Sequence, residues 1–379
     1  MSRGLVSILD GNTFVVSEDN GDIDATPTIP TGLFAFDTRY LSKWRLRIND
    51  KRLGVVSVDD VQYFEARFVL VPGAPTPFLD PPFSVTRQRS IGDSFHERLT
   101  VANHEGKPID LRICIEVGSD FADVFEIKDV GRKKGKYYTS VEPGCLRLGY
   151  QRAKFRREAV VFSTQPAHFD EGGITFDVRI GPHGEWATEL YVRTLGGDGR
   201  EIRDSLHGHP LPRRDRRADL SRWLADVPRL TSDSDVLAVT YRRSLVDLAA
   251  LRYTPLTAHR QVGALPAAGL PWFMSIFGRD TIFTSLQALP FAPDLAATAL
   301  RILALQQGVV LDDFREEEPG KILHEYRYGE TTAFQEQPHS PYYGSADATP
   351  LYVILLDEYE RWTGDATMVH LCERAARDA

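Results

Sequence analysis

The chain has 379 residues, of which 42% are hydrophobic and 26% charged, which fits two soluble cores and excludes wholesale disorder, a collagen-like repeat or a coiled-coil fibre. A formal net charge of -8 works against general affinity for phosphate backbones, so nucleic acid is not an expected partner. No apolar run approaches the roughly 18 residues needed to cross a bilayer, so no membrane partner is expected, and a cytoplasmic protein is the simplest expectation.

From the start to about residue 205, short segments rich in Val, Ile, Phe, Leu and Tyr alternate with polar residues and end at Gly, Pro, Asn or Asp. That is the pattern of half-buried strands. Thr13 to Ser17 follows an Asp10-Gly11-Asn12 turn, Lys43 to Ile48 precedes Asn49-Asp50, and His96 to Ala102 precedes Asn103-His104-Glu105-Gly106. Leu111 to Val117 is a fourth strand. With turns this frequent and no long helical period between them, an antiparallel β-sandwich over residues 1–207 is expected. Cys114, Cys145 and Cys372 are odd in number and widely spaced, which suits buried thiols better than a disulfide framework or a zinc site.

Residues 208–232 shift toward Arg, Asp, Pro and Leu and read as a linker. The run Arg213, Arg214, Arg216, Arg217 and Arg222 is broken by Asp215 and Asp219, as on a solvated segment, and Ser221 to Val227 can form a short connecting helix. From residue 233 onward the period becomes helical. Leu237, Tyr241, Leu245 and Leu248 make one stripe behind the capping candidates Ser232 and Asp233. A second helix begins near Arg279-Asp280, and a third runs from Asp294 through Leu295, Leu300, Ile302 and Leu305 to Gly308. A fourth opens at Asp347, tolerates Pro350 in its first turn, aligns Leu351, Leu355, Tyr359 and Trp362, and stops at Gly364. A fifth starts at Asp365 and carries Met368, Leu371, Cys372 and Ala375.

Three loops between these helices hold the candidate chemistry. Ala268 to Thr281 mixes Trp272, Phe273, Gly and Pro with the adjacent pair Arg279 and Asp280. Aromatic faces cover the C–H side of a sugar ring and charged forks grip hydroxyl pairs, although Trp272 and Phe273 serve equally as core residues and Asp280 as a helix cap. In the second loop, residues 312 to 318 read as a solvated acidic turn, and Lys321, His324 and Glu325 are the better candidates. His324-Glu325 opens like a zinc motif, but residue 328 is Tyr where the second His would stand, so no metal is expected. The third loop sets Tyr342, Tyr343, Gly344 and Ser345 before Asp347, a carboxylate at a helix mouth that is also a good N-cap.

Taken in order, AGLPWF…FGRD, GKILHEYRYGE and YYGSADATPLY resemble the amylo-α-1,6-glucosidase family of glycogen-debranching enzymes, with trehalases and processing-type glucosidases as neighbours. GLFAFDTRYLSKWRL is similar to the sandwich domain that precedes the glucosidase domain in bacterial members. The resemblance implies a six-hairpin (α/α)6 toroid over residues 233–379 and inverting hydrolysis of α-linked glucose with water and no cofactor. It implies Asp347 as general acid, Arg279 and Asp280 on the glucose hydroxyls, Trp272 and Phe273 as walls, and Lys321, His324, Glu325 and Tyr343 as further substrate-binding residues.

The 147 residues from Asp233 to Ala379 accommodate only about five helices with their loops at about 11–12 and 4–6 residues each. The family's general base lies later in the toroid and matches no residue here. An incomplete, C-terminally truncated toroid with weak or no hydrolysis is therefore expected. The alternative is a non-catalytic carbohydrate-binding or docking fragment. The expected partner is an α-glucan or other glucoside, and the sequence assigns no oligomeric state.

Overall fold

A computed structural model describes residues 4–26, 29–74, 80–92, 94–129, 133–197, 215–255 and 263–379. The chain divides into two compact units, Met1–Arg214 and Asp215–Ala379.

Among the described residues the first unit has seventeen strands in chain order: β1 Leu5–Asp10, β2 Thr13–Glu18, β3 Ile23–Asp24, β4 Gly32–Ala35, β5 Thr38–Leu41, β6 Lys43–Ile48, β7 Leu53–Gln62, β8 Glu65–Pro72 and β9 Phe83–Ile91. They continue as β10 Phe95–Asn103, β11 Ile109–Gly118, β12 Lys136–Glu142, β13 Cys145–Arg152, β14 Phe155–Ser163, β15 His168–Asp170, β16 Gly173–Ile180 and β17 Glu185–Gly197. One short helix, α1 (Val124–Asp129), interrupts them, which strand periodicity did not announce. The strands form an eight-stranded sheet ordered β12-β13-β14-β17-β10-β9-β8-β7, a five-stranded sheet β15-β16-β11-β6-β3 and a four-stranded sheet β1-β2-β4-β5. Every pairing between these strands is antiparallel.

Alternation turns one side of each strand inward. In β6 the residues Trp44, Leu46 and Ile48 are buried, and in β10 Phe95, Leu99 and Val101 are. The five- and eight-stranded sheets face each other through these side chains: Trp44 meets Phe95 edge-on with ring centroids 5.3 Å apart, and Phe176 meets Trp186 at 5.1 Å. Both geometries suit the quadrupoles of the rings.

This interior also holds charge. Glu97 of β10 is fully buried and accepts from Arg87 Nε at 3.0 Å, Arg89 Nε at 2.9 Å and Trp44 Nε1 at 3.2 Å. Arg87 donates onward to Asp22 at 2.7 Å, and Asp22 accepts the Leu46 backbone N–H at 3.0 Å. Arg89 also donates to the Gly21 carbonyl and lies over the Phe68 and Phe95 rings. Gly21 takes a φ of +80°, and a side chain there would press on Phe68 at 3.0 Å, so only glycine lets the turn approach the arginines. Burial alone would push the Glu97 carboxyl up, but the two guanidinium charges overcome it and hold it below its ordinary value.

The second unit is helical: α2 Arg216–Asp226, α3 Asp235–Ala250, α4 Gly278–Ala288, α5 Pro293–Leu305, α6 Glu330–Ala333, α7 Ala348–Thr363 and α8 Ala366–Asp378. Two-residue strands β18 Arg252–Tyr253, β19 Leu265–Pro266, β20 Ile276–Phe277 and β21 Glu325–Tyr326 tie its loops. Helix α5 is the centre, buried from Leu295 to Leu300 and again at Ile302 and Leu303, and it packs on α4, α7 and α8. The Trp223 indole of α2 donates to the Leu245 carbonyl of α3 at 3.1 Å.

Several boundaries and faces differ from the sequence expectation. Helix α2 begins at Arg216, five residues before the connecting helix expected over Ser221 to Val227; Arg213, Arg214 and the His209-Pro210-Leu211-Pro212 stretch lie outside the described residues. Ser234, not Ser232 or Asp233, caps α3 by accepting from Leu237 N. Helix α5 starts with Pro293 at its first position rather than a cap at Asp294. In α7 the buried face is Tyr352, Leu355, Leu356 and Tyr359, leaving Trp362 exposed; in α8 Met368, Cys372 and Ala375 are buried and Leu371 is exposed. Cys372 is buried as expected, whereas Cys114 and Cys145 are only half-buried. No described helix is long and apolar enough to cross a membrane.

Removing Glu97 strands two buried guanidiniums. Glu97→Ala is expected to lower the unfolding free energy by about 3–5 kcal/mol in urea titrations followed by tryptophan fluorescence. Asp110→Ala, which removes the exposed partner of exposed Arg179, should leave the midpoint close to that of the parent. Because the folded Glu97 carboxyl lies below its ordinary 4.5, its contribution is complete above that value and is lost as pH falls through the folded one. Equal midpoints for the two variants would remove the network from its structural role.

Candidate functional site

The three loops singled out in the sequence come together through main-chain hydrogen bonds. β20 pairs with β21 in antiparallel register, Ile276 opposite Tyr326 and Phe277 opposite Glu325. The third loop joins the same strand, since Tyr342 N–H donates to the Glu325 carbonyl at 3.0 Å and His324 N–H to the Tyr342 carbonyl at 2.7 Å. Gly278 N–H donates to the His324 carbonyl at 2.9 Å, and a β-carbon at Gly278 would lie 2.0 Å from the Leu323 carbonyl oxygen. The Ile322 N–H donates to Thr349 Oγ1 in the first turn of α7 at 3.0 Å. These bonds bring the N-terminal ends of α4 and α7 side by side.

Arg279, in the first turn of α4, reaches Asp347 at the mouth of α7, with Nη1 to Oδ2 at 3.1 Å. Both side chains are close to half exposed, at 45% and 43%. Asp347 stands at the N-cap position yet makes no side-chain capping bond. Its other oxygen accepts from the Ser345 hydroxyl, and Ser345 Oγ takes the Ala348 N–H at 3.3 Å in its place. The Ser345 donor first, and the Arg279 guanidinium with it, hold the Asp347 carboxyl below the usual carboxylate range. Arg279, Asp280 and Phe283 line a cleft of ≈ 360 Å³ together with Leu248, Leu251 and Pro266. That volume lies within the range of about 300–1,000 Å³ usual for small-molecule sites.

The other candidates take varied positions. Phe273 is 46% exposed and meets Phe277 edge-on at 5.8 Å; Trp272 is half-buried. Glu325 is buried and ion-paired with Arg327, with His339 Nε2 at 3.8 Å from its second oxygen. Burial lowers the His339 imidazole against the upward pull of Glu325. His324 lies edge-on between Phe277 and Tyr342 at 6.0 and 5.9 Å, and its Nδ1 is buried without a hydrogen-bond partner among the described residues. Lys321 turns toward the acidic loop, donating to the Glu316 carbonyl at 2.9 Å and meeting Glu318 at 3.2 Å.

Tyr343 lies inside the unit. Its hydroxyl donates to the Gln306 carbonyl at 2.9 Å, and burial pushes its phenol up to about 12. The acidic turn is also less solvated than its composition implied, because buried Glu317 accepts the Val309 and Val310 N–H groups at 2.8 and 3.3 Å. The sequence assigns no separate role to Phe277, Arg327, His339 or Tyr342, which the structure places at the junction. Arg327 lies over the Phe277 ring at 5.1 Å, so Phe277 is the hub on which the aromatic side of the junction rests. Among the described residues no group of three or more His, Cys, Asp or Glu is placed to hold a metal ion.

Residues 8–191 match the family described as the N-terminal domain of (some) glycogen debranching enzymes. A solved structure assigned as a kojibiose phosphorylase, from the human microbiome, is similar over 96% of this chain and 54% of its own, at 9% identity and a TM-score of 0.53. A gh92 family glycosyl hydrolase is similar over 99% of this chain and 60% of its own, at 12% identity and a TM-score of 0.39. No curated protein matches. At such identity the first likeness is one of fold, and this chain spans about half that structure's length.

Because the main chain of residue 323 occupies the space of a side chain at 278, Gly278→Ala is expected to destabilise the helical unit by about 1–3 kcal/mol. It should also loosen the Arg279–Asp347 approach. Thermal unfolding monitored by circular dichroism checks the first effect; an unchanged transition would mean that the junction is not close-packed.

Proposed function

From the match of residues 8–191 to the N-terminal domain of (some) glycogen debranching enzymes, we propose that the chain is a debranching-type glycoside hydrolase relative whose helical unit engages α-linked glucose. The observation that carries this reading is the meeting of Arg279 and Asp347, 68 residues apart in sequence, at the edge of the cleft lined by Arg279 and Asp280. We read α3 to α8 as part of an (α/α)6 toroid, in keeping with the way α4, α5, α7 and α8 pack on one another.

In this reading Asp280 and Arg279 present an acceptor and a donor fork to neighbouring hydroxyls of one glucose. Phe273, half exposed, and Trp272 offer apolar surface to the ring. Lys321, His324 and Glu325 border the site from the second loop, with Glu325 anchored by Arg327. Asp347 is the general acid, protonating the leaving oxygen while water attacks the opposite face with inversion. Such chemistry needs a second carboxylate about 6.5–9.5 Å from the first to activate that water, and no residue is assigned to that role. Protein groups and water carry the reaction, without metal or cofactor.

A second reading, sugar binding without hydrolysis, is favoured by the state of the two central carboxylates. Asp347 is held as an anion between Ser345 and Arg279, and Glu325 is committed to Arg327. Glucose release from a branched limit dextrin, measured beside calorimetric binding of the same glucan, separates the readings. Under the first, Asp347→Asn lowers release by about 10²–10⁴-fold with binding retained. Binding without release by the parent chain selects the second reading, and absence of binding rejects both.

A further inference from the structure

We infer that Arg279 is a latch shared between Asp347 and the cleft: it grips the Asp347 carboxylate, and a ligand in the cleft draws it away and frees that carboxylate. The part concerning sugars rests on the functional reading above; the ion pair does not.

The geometry supports divided loyalty in this one cation. A guanidinium carries five N–H donors in a rigid fork. Arg279 spends one on Asp347, through Nη1 at 3.1 Å, and no other hydrogen bond from it is found among the described residues. The same side chain lines the cleft beside Asp280. Two vicinal hydroxyls of a saccharide would be met by Arg279 as donor and Asp280 as acceptor, an arrangement that asks the guanidinium to turn its fork toward the cleft. The ion pair can part because both members are close to half exposed, and such pairs are weakly held.

Nearby charges do not replace Arg279. On the second loop Lys321 is engaged by Glu318 and the Glu316 carbonyl, Glu325 by Arg327, and His339 faces Glu325. His324 is packed between Phe277 and Tyr342, and Asp280, on α4 itself, is a like charge. On its own loop Asp347 keeps the neutral Ser345 hydroxyl and a backbone N–H, and no cation, when Arg279 leaves.

A carboxylate held by the Ser345 hydroxyl and gripped by Arg279 is a poor proton donor, since the hydroxyl first and the cation with it stabilise the charged form. Withdrawing the cation lets Asp347 take a proton from solvent at a higher pH than before. Linkage makes the effect reciprocal: ligand binding raises the proton affinity of Asp347, and protonation of Asp347 tightens ligand binding by the same factor. Arg279 thus acts as a positioning residue that reports occupancy of the cleft to the acid. An acid that arms itself only beneath a bound sugar is protected from idle protonation.

The test is a carbon-detected NMR titration of the full chain labelled at aspartate carboxyls, with Asp347 identified by its loss in Asp347→Asn, in the presence and absence of isomaltose. The expected result is that Arg279→Gln raises the Asp347 midpoint toward the ordinary carboxylate range. Saturating isomaltose should raise it in the parent chain and add nothing in Arg279→Gln. Isomaltose that perturbs Asp280 but leaves the Asp347 midpoint of the parent unmoved overturns the latch and spares sugar binding. An unmoved midpoint in Arg279→Gln also overturns it. A chain that isomaltose does not perturb at all overturns the sugar reading, and with it gating by sugar.

Discussion

Glu97 holds the β unit together by a constraint that is electrostatic before it is hydrophobic. A carboxylate in that interior is tolerable only if cations meet it, and a cation there only if each is met in turn. Arg87 and Arg89 of β9, Asp22 after β2, and the Trp44 indole of β6 meet most of this requirement together, leaving Arg87 Nη2 and Arg89 Nη1 buried without a hydrogen-bond partner among the described residues. Their positions fix the relation of the three sheets, because β9 and β10 belong to the eight-stranded sheet, β6 to the five-stranded one, and the turn carrying Asn20 and Gly21 leaves the four-stranded one. Aromatic packing between Trp44 and Phe95 then fills space that the ionic geometry has already defined.

The helical unit solves a different problem by a different means. Its helices pack through apolar faces centred on α5, but its long loops have no such periodic surface to order them. They are ordered by exchanging main-chain hydrogen bonds among residues 276–278, 324–327, 339 and 342, a miniature sheet laid across the helix mouths. Side chains then emerge from fixed points. Arg279 and Asp347 meet because α4 and α7 begin where that sheet ends, while Phe277, His324 and Arg327 stack behind it.

Much of the fold was legible in the sequence because burial imposes a period. The alternation in Lys43 to Ile48 survives unchanged as β6, and Gly364 ends α7 in the left-handed conformation its position announced. Where several residues qualify, the period does not choose: Ser232, Asp233 and Ser234 all suit an N-cap, and only Ser234 accepts the bond. Apolar stripes were placed a fraction of a turn off, which left Trp362 and Leu371 outside and Tyr352 inside. The ionic core was recoverable in principle, since Arg87 and Arg89 share the parity of Phe83, Val85 and Ile91, which marks them as inward-facing. The site was legible in its membership but not in its pairings. Nothing local distinguishes Tyr342, at the junction, from Tyr343, in the interior, and a contact spanning 68 residues leaves no periodic trace.

Because the miniature sheet is made of backbone, its integrity is nearly indifferent to most side chains that hang from it. Gly278 is the exception, since a carbonyl oxygen occupies the place of its β-carbon. Asp280 and Phe283 line the cleft from outside the strand register. A lineage carrying this frame could drift from one saccharide to another by changing the rim of the cleft, with the scaffold inherited intact.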